Sequence, residues 1–317
     1  MPHQCSFEAV PPIPSANPIL PVNFTRLLAF LLLLAAGRSQ ELPIAGLAGV
    51  GLKVSNLDQA REYYTGWLGF EVAFTEKDAA GHVSELLFKV NDDQFLEVFP
   101  GLDPNDDVRR THVSFLSADV AGLRQTLLTR QVSPGPLLKN RHGNLEFSHM
   151  APEGTLLKFI QYLPNSPQAL TRGKHLGSRR ISTRLKHTGL IVADLQPSMT
   201  FYSEQLGFRE FWRGGPTPAV TRWITFRVAE PAGDYVEFML QPTPPTRRQR
   251  GAMDHISLEV ADINAAYREL LARGMPNEKP RNPLLGLDRH WLLNVLDPDG
   301  TRTEFMESRT IPIDAEP

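Results

Sequence analysis

Between residues 48 and 307 the chain alternates apolar runs of strand length with segments of helical periodicity, and it does so four times. Gly51-Leu-Lys-Val-Ser-Asn-Leu57 returns as Gly189-Leu-Ile-Val-Ala-Asp-Leu195. Tyr64-Thr-Gly-Trp-Leu-Gly-Phe70 returns at the same offset as Tyr202-Ser-Glu-Gln-Leu-Gly-Phe208. A second pair interleaves with the first: His112-Val-Ser-Phe-Leu-Ser-Ala-Asp119 matches His255-Ile-Ser-Leu-Glu-Val-Ala-Asp262. Self-similarity of this kind defines the architecture before any single element does. Each unit opens on a strand and places Asn56, Asp119, Asp194 or Asp262 where a helix N-cap belongs. Gly69, Gly207 and Gly274 follow the helical segments, where a left-handed residue ends a helix at least cost. Two or three alternating segments complete the unit, turning in the even units on Pro152-Glu-Gly154 and Pro298-Asp-Gly300. The expected class is α+β: four βαβββ units, over residues 48–101, 110–162, 186–242 and 253–307.

Composition adds few constraints. A chain of 317 residues with 41% hydrophobic and 21% charged content suits two soluble domains, and a net charge of −2 gives nucleic acid no electrostatic footing. Residues 163–185 are polar and Pro-containing and hold five basic residues and no acid. Without interleaved aromatics for stacking on bases, they read as a solvated linker. Pro242 to Gly251 reads as a second, shorter connector. The expected layout is a leader (1–39), an N-terminal domain (40–162), the linker (163–185), a C-terminal domain (186–308) and a tail (309–317).

The leader carries Arg26, the apolar run Leu27–Ala36 and the small-residue exit Gly37-Arg-Ser39. That is the pattern of a secretory signal peptide cut after Ser39, so a periplasmic or secreted protein with no membrane attachment is expected. A hydrophobic anchor, or a start at Val22, are the other readings. Cleavage removes Cys5, the only cysteine. The mature chain then has neither disulfide nor thiolate, and any metal must sit on nitrogen and oxygen.

Candidate chemistry lies in the second pair of units. Two strands carry His187 and His255 near their starts, and two later strands carry Glu237 and Glu304 among apolar neighbours. An isolated carboxylate on such a face is costly to desolvate, and a divalent cation removes that cost. Two imidazoles and two carboxylates suit Zn, Ni, Mn, Co or Fe(II), with a position left open.

The repeat, the Tyr-x-x-x-Leu-Gly-Phe string and the strand-borne His and Glu together resemble the vicinal oxygen chelate superfamily, which includes glyoxalase I and the type I extradiol dioxygenases. The resemblance implies that two units pair into an open, cup-shaped sheet holding one divalent metal ion. It implies His187, Glu237, His255 and Glu304 as metal ligands. The equivalent positions of the first two units are Gly49, Glu97, His112 and Lys158. An ammonium cannot ligate and repels a cation, so a metal-free N-terminal cup with Lys158 paired to Glu97 is expected. Pairing unit one with two and three with four keeps the quartet whole.

By that resemblance the activity is a glyoxalase-like lyase or isomerase acting on a small substrate with vicinal oxygens through enediolate chemistry. Glu304 or Glu237 serves as the base and His290 as an outer acid. The glutathione-contacting Arg and Asn of that group are replaced here by Ile191 and Gln241. The dioxygenase alternative takes His187, His255 and Glu304 as its triad. It lacks the acid–base Tyr, where Asn294 stands, and the outer His, where Leu240 and Gln241 stand. A non-enzymatic small-molecule binder is the third reading. Trp291, Trp223 and Arg222 are candidate wall residues, and Asp288-Arg289 reads as a solvated turn. Four units complete two cups without a partner chain, so a monomer suffices.

Overall fold

The computed structural model describes residues 41–105, 107–230, 233–275 and 282–311. The expected signal peptide and Cys5 lie outside them, as does most of the tail. The first half holds β1 (Ile44–Val54), β2 (Glu71–Lys77), β3 (Val83–Lys89), β4 (Phe95–Pro100), β5 (Arg110–Ser117), β6 (Leu138–Lys139), β7 (Leu145–Met150) and β8 (Leu156–Gln161). The second half holds β9 (Leu185–Val192), β10 (Arg209–Gly214), β11 (Trp223–Arg227), β12 (Tyr235–Leu240), β13 (Ile256–Val260), β14 (Leu284–Leu285), β15 (His290–Leu296) and β16 (Arg302–Thr310). They form two eight-stranded sheets of the same topology, β2-β3-β4-β1-β5-β8-β7-β6 and β10-β11-β12-β9-β13-β16-β15-β14. In each unit the first strand runs parallel to the last. The two first strands of a pair, β1 with β5 and β9 with β13, join antiparallel at the centre. The α+β class and the four-unit repeat forming two open mixed sheets are therefore as the sequence implies, and the units pair contiguously.

Strand periodicity separates two faces. On β12, Val236 and Phe238 are fully buried against the helices, while Tyr235, Glu237 and Met239 point into the cup. The helices open as read. Asn56 accepts from the backbone N–H of Asp58 and Gln59, Asp119 from Gly122, Asp194 from Gln196 and Asp262 from Ala265. Each such cap is worth about 1 kcal/mol.

The helices of the odd units depart from a plain α-helix. Leu57–Arg61 and Leu195–Met199 widen into π-helical turns at Glu62–Trp67 and Thr200–Gln205. The Leu68 and Leu206 N–H groups bond five residues back, to the Tyr63 and Phe201 carbonyls. The wider turn carries adjacent aromatics inward together, Tyr63 with Tyr64 and Phe201 with Tyr202, all buried. That explains the repeated Tyr-x-x-x-Leu-Gly-Phe string, whose Tyr, Leu and Phe are core residues in both copies.

The halves clasp one another in a pseudo-symmetric way. Arg130, ending the helix of unit two, donates to the Gln205 carbonyl at the helix end of unit three (2.8 Å). Its counterpart Arg273, of unit four, donates to the Trp67 carbonyl of unit one (2.7 Å). A cation at a helix C-terminus meets the negative end of the macrodipole and its orphan carbonyls. Between the clasps, Gln94 exchanges side-chain hydrogen bonds with the Leu185 backbone, and Asp234 accepts from the Leu47 N–H.

Both connectors are more ordered than the sequence implies. Residues 163–185 are not a free solvated spacer, because their polar groups find partners on the N-terminal half. Ser166 and Gln168 are buried, Lys89 donates to the Thr171 carbonyl and Asp92 accepts from the Gly173 N–H. Pro242 to Gly251 runs into a helix, Arg247–Met253, which Thr246 and Gln249 open with a reciprocal capping box.

Candidate metal centre

β9 and β13 lie antiparallel with Ser257 opposite His187, and β12 and β16 flank them in parallel. This order brings donors from four strands to the floor of one cup. The Nε2 atoms of His187 and His255 face each other at 3.0 Å. Glu237 Oε2 lies 3.4 Å from His255 Nε2 and 4.0 Å from His187 Nε2, and Glu304 Oε1 lies 3.3 Å from His187 Nε2. Among the described residues, the donors of His187, Glu237 and His255 all lie within 4.8 Å of one another. Glu304 reaches His187 but falls outside that compact set, and Arg302 lies 3.3 Å from its other oxygen.

Gly189 makes room for this arrangement. A Cβ there would collide with the imidazole of His255 and the Met253 carbonyl, so only glycine lets the ring lie flat across β9. Gly51 plays the same part for His112 in the first half. His187 stacks on Tyr235 at 4.3 Å between ring centroids.

Electrostatics prepares the donors. Burial and then the charge of Arg302 push both His187 and His255 well below the usual imidazole range, leaving neutral rings with free lone pairs. Burial and the neighbouring Glu304 push Glu237 up to about 8. Burial also raises Glu304, against the opposing pull of Arg302. Two half-desolvated carboxyls facing two neutral imidazoles are unfavourable alone and complementary to a divalent cation. His255 Nδ1 lies between the Met253 carbonyl (2.9 Å) and Arg302 Nη2 (2.7 Å), and donation to the carbonyl is the tautomer that leaves Nε2 open to a metal. The donor set therefore fits a divalent ion on nitrogen and oxygen.

Two further residues belong to the site. Arg302 lies 2.7 Å from His255 Nδ1 through Nη2, and its buried Nε has no partner. It stands two residues before Glu304 on β16, so strand alternation alone put it on the cup face. Asp288 lines the cup and pairs with His290 Nδ1 at 3.0 Å, so Asp288 is a rim residue and not a solvated turn. Arg289 between them adopts a left-handed conformation (φ 68°), which folds the turn inward. His290, Leu292 and Asn294 share one face of β15, and Leu292 and Asn294 line the cup. Trp291 is on the other face and packs on the core, whereas Trp223 and Trp212 are cup walls. Arg222 holds the strand edge through its backbone, accepting from the Leu240 N–H and donating to the Gly214 carbonyl. The cavity enclosed is about 200 Å³.

The N-terminal cup repeats the frame with other side chains. Gly49, at the position of His187, contributes nothing. Glu97 Oε2 lies 3.2 Å from His112 Nε2, and Lys158 faces Ser114 as Glu304 faces Ser257. The expected Lys158–Glu97 pair does not form. Burial opposes the charge of Glu97, but His112 overrides it and holds Glu97 down at about 2. The acid of the cup is Glu85, pushed up to about 8 by burial and by the charge of Glu97.

Residues 184–305 match the family model described as the Glyoxalase/Bleomycin resistance protein/Dioxygenase superfamily. No curated protein matches the chain by sequence. Among solved structures, the 2,3-dioxygenase LapB from Pseudomonas sp. KL28 superposes with a TM-score of 0.63 at 17% identity, over 87% of this chain and 96% of that one. Homoprotocatechuate 2,3-dioxygenase from Brevibacterium fuscum, in an anaerobic complex with 3,4-dihydroxyphenylacetate, gives a TM-score of 0.63 at 18% identity. That match covers 87% of this chain and 84% of its own. At these identities the likeness is one of fold, and it spans both halves.

Proposed function

We propose, from the match of residues 184–305 to the glyoxalase, bleomycin resistance and dioxygenase family model, that this protein is a divalent-metal-dependent enzyme of the glyoxalase-like kind. Its reaction is an isomerisation or lyase step on a small substrate with adjacent oxygens. The observation that supports this reading is the convergence of His187, Glu237 and His255 on one point of a cup floor, with Glu304 beside it.

His187 and His255 would hold the ion through Nε2 and Glu237 through Oε2. When bound, a divalent ion supplies Lewis acidity to two vicinal oxygens of a substrate and so acidifies the adjoining C–H. Glu304 is the proton carrier. Arg302 pins one of its oxygens, and the other faces the cup at the height of His187. A carboxyl raised by burial exchanges protons near neutrality better than an ordinary one. At the rim, Asp288 orients His290 as a second proton donor or acceptor. The walls of Trp212, Trp223 and Leu292 exclude water from the carbon being deprotonated.

Metal content of the purified protein tests this first. About one divalent ion per chain, lost in His255→Ala and kept in Glu97→Ala, is the expected result. Turnover of α-hydroxycarbonyl compounds that falls with Glu304→Gln should accompany it. No bound metal after incubation with Zn, Ni, Mn and Fe(II) would sink the proposal.

A ring-cleaving dioxygenase is the second reading. Two histidines and one carboxylate are also the ligand number of an Fe(II) facial triad, and two such enzymes share the fold. Oxygen uptake with catechols would support it. Asn294, beside Glu304 on the neighbouring strand, supplies no acid–base group for that chemistry.

A further inference from the structure

The N-terminal cup retains a cavity of about 370 Å³, larger than that of the C-terminal cup. Its floor is built from the positions that carry the donor set in the other half. Lys158 replaces a carboxylate there, and among the described residues its ammonium forms no hydrogen bond and no ion pair. The acids nearest to it are otherwise engaged. Glu97 meets His112 at 3.2 Å, and Glu85, almost wholly buried, hydrogen-bonds Glu97 and lies 3.4 Å from Arg141. Lys158 is therefore held on the floor by the longer-range field of Glu97 and Glu85 and keeps a contact position open to a ligand.

The surroundings favour an organic anion over a cation or a metal. Lys139, Arg141 and His142 line the cavity beside Glu146, the Glu97 carboxylate is taken by His112, and Leu87, Phe95 and Tyr162 make an apolar wall. The same ammonium that would attract a carboxylate repels any metal ion. A single lysine, with no backbone nest around it, matches a monoanion better than a phosphate dianion. Gln168 from the connector closes one side and is fixed there by Asn144 (2.8 Å), so the cup has a rigid wall.

We infer that the N-terminal cup is a binding site for a small organic carboxylate, whose anionic group pairs with Lys158 and whose hydrocarbon part lies against Leu87, Phe95 and Tyr162. The site is separate from the metal cup, and its ligand need not be the substrate. The volume accommodates a single ring with a short side chain.

Calorimetry and ligand-observed NMR on the purified protein test this with phenylacetate as the probe, and phenethylamine and benzyl alcohol as its cationic and neutral counterparts. Phenylacetate should bind, and the other two should bind at least roughly tenfold more weakly. Lys158→Met should weaken phenylacetate by roughly tenfold or more, and Lys158→Arg should recover most of the loss. Leu138→Trp, at an exposed position on the mouth, should weaken it by obstruction without touching the floor. It decides the matter if Lys158→Met does not fold. His187→Ala should leave phenylacetate binding unchanged. The inference is overturned if phenylacetate does not bind or if phenethylamine binds as well. It is equally overturned if the affinity survives both Lys158→Met and Leu138→Trp, or is lost only in His187→Ala.

Discussion

Glu97 and Glu237 occupy the same place in two copies of one sheet, yet their carboxyls are driven in opposite directions. Glu237 faces Glu304 and two neutral imidazoles, and burial with a like charge pushes it up to about 8. Glu97 faces His112 in a cup where Lys158 has replaced the second carboxylate, and it is held down at about 2. Backbone register, strand order and the glycine that admits the histidine ring are common to both. What differs is two floor side chains: Gly49 stands where the other cup has His187, and Lys158 reverses the sign of Glu304 on the last strand. A metal cup and an ion-paired cup are thus neighbours in sequence space, separated on the floor by Gly49 for His187 and Lys158 for Glu304.

Lys158→Glu should make the N-terminal cup most like the C-terminal one. It places a third carboxyl beside Glu85 and Glu97 and should destabilise the metal-free protein by about 2–4 kcal/mol in thermal unfolding at neutral pH. Added Zn or Mn should return much of that loss, because binding to the folded state stabilises it. No effect of metal on the variant's melting temperature would mean that the N-terminal frame cannot be restored to a metal site.

Gly189→Ala and Gly51→Ala sharpen the same contrast. Both should strain a histidine ring, but only Gly189→Ala should weaken metal binding, by roughly tenfold or more, as measured by competition with a chelator. A third comparison uses pH in the metal-free form. The folded pKa of Glu237 lies above its unfolded value, so its contribution is present below about 4.5 and is lost as pH rises toward 8. Glu97 has the opposite sign: its contribution is present above about 4.5 and is lost as pH falls toward 2. Glu237→Gln should therefore remove about 1–3 kcal/mol of the stability decline between pH 5 and 8, whereas Glu97→Gln should lower stability at neutral pH and flatten the acid-side decline below about pH 4.5. Urea unfolding across pH reads both.

The smallest expected effect concerns the clasps. Arg130→Ala and Arg273→Ala should each cost about 1 kcal/mol or more, since each loses a hydrogen bond to a helix-end carbonyl, and Arg273 also donates to the Arg179 carbonyl and pairs with Glu269.

The repeat, the caps at Asn56, Asp119, Asp194 and Asp262, and the four strand-borne residues of the C-terminal cup were legible because each depends on short-range pattern. Cap chemistry and period-two alternation survive in a bare sequence. The π-helical turns were not legible, since Tyr63–Tyr64 and Phe201–Tyr202 look like ordinary helical positions until the widened turn carries both rings inward. Arg302 was within reach, two residues before Glu304 and so on its face. Asp288 was not, because a turn has no periodicity and only the left-handed Arg289 aims it at the cup. The missing Lys158–Glu97 pair has a similar cause. Its competitor, His112, lies on another strand, and its ring direction depends on the bare edge at Gly51.

The reciprocal arginine clasp has a consequence for how the two halves are held. Each half offers the other the same hook and the same carbonyl, which is the self-complementary geometry of a two-fold dimer. The connector converts that association into an intramolecular one. It replaces a dependence on protein concentration with a fixed effective concentration, in the millimolar range for a short tether. Freed from the need to be identical in order to assemble, one half is able to keep a metal site while the other drifts to a different chemistry.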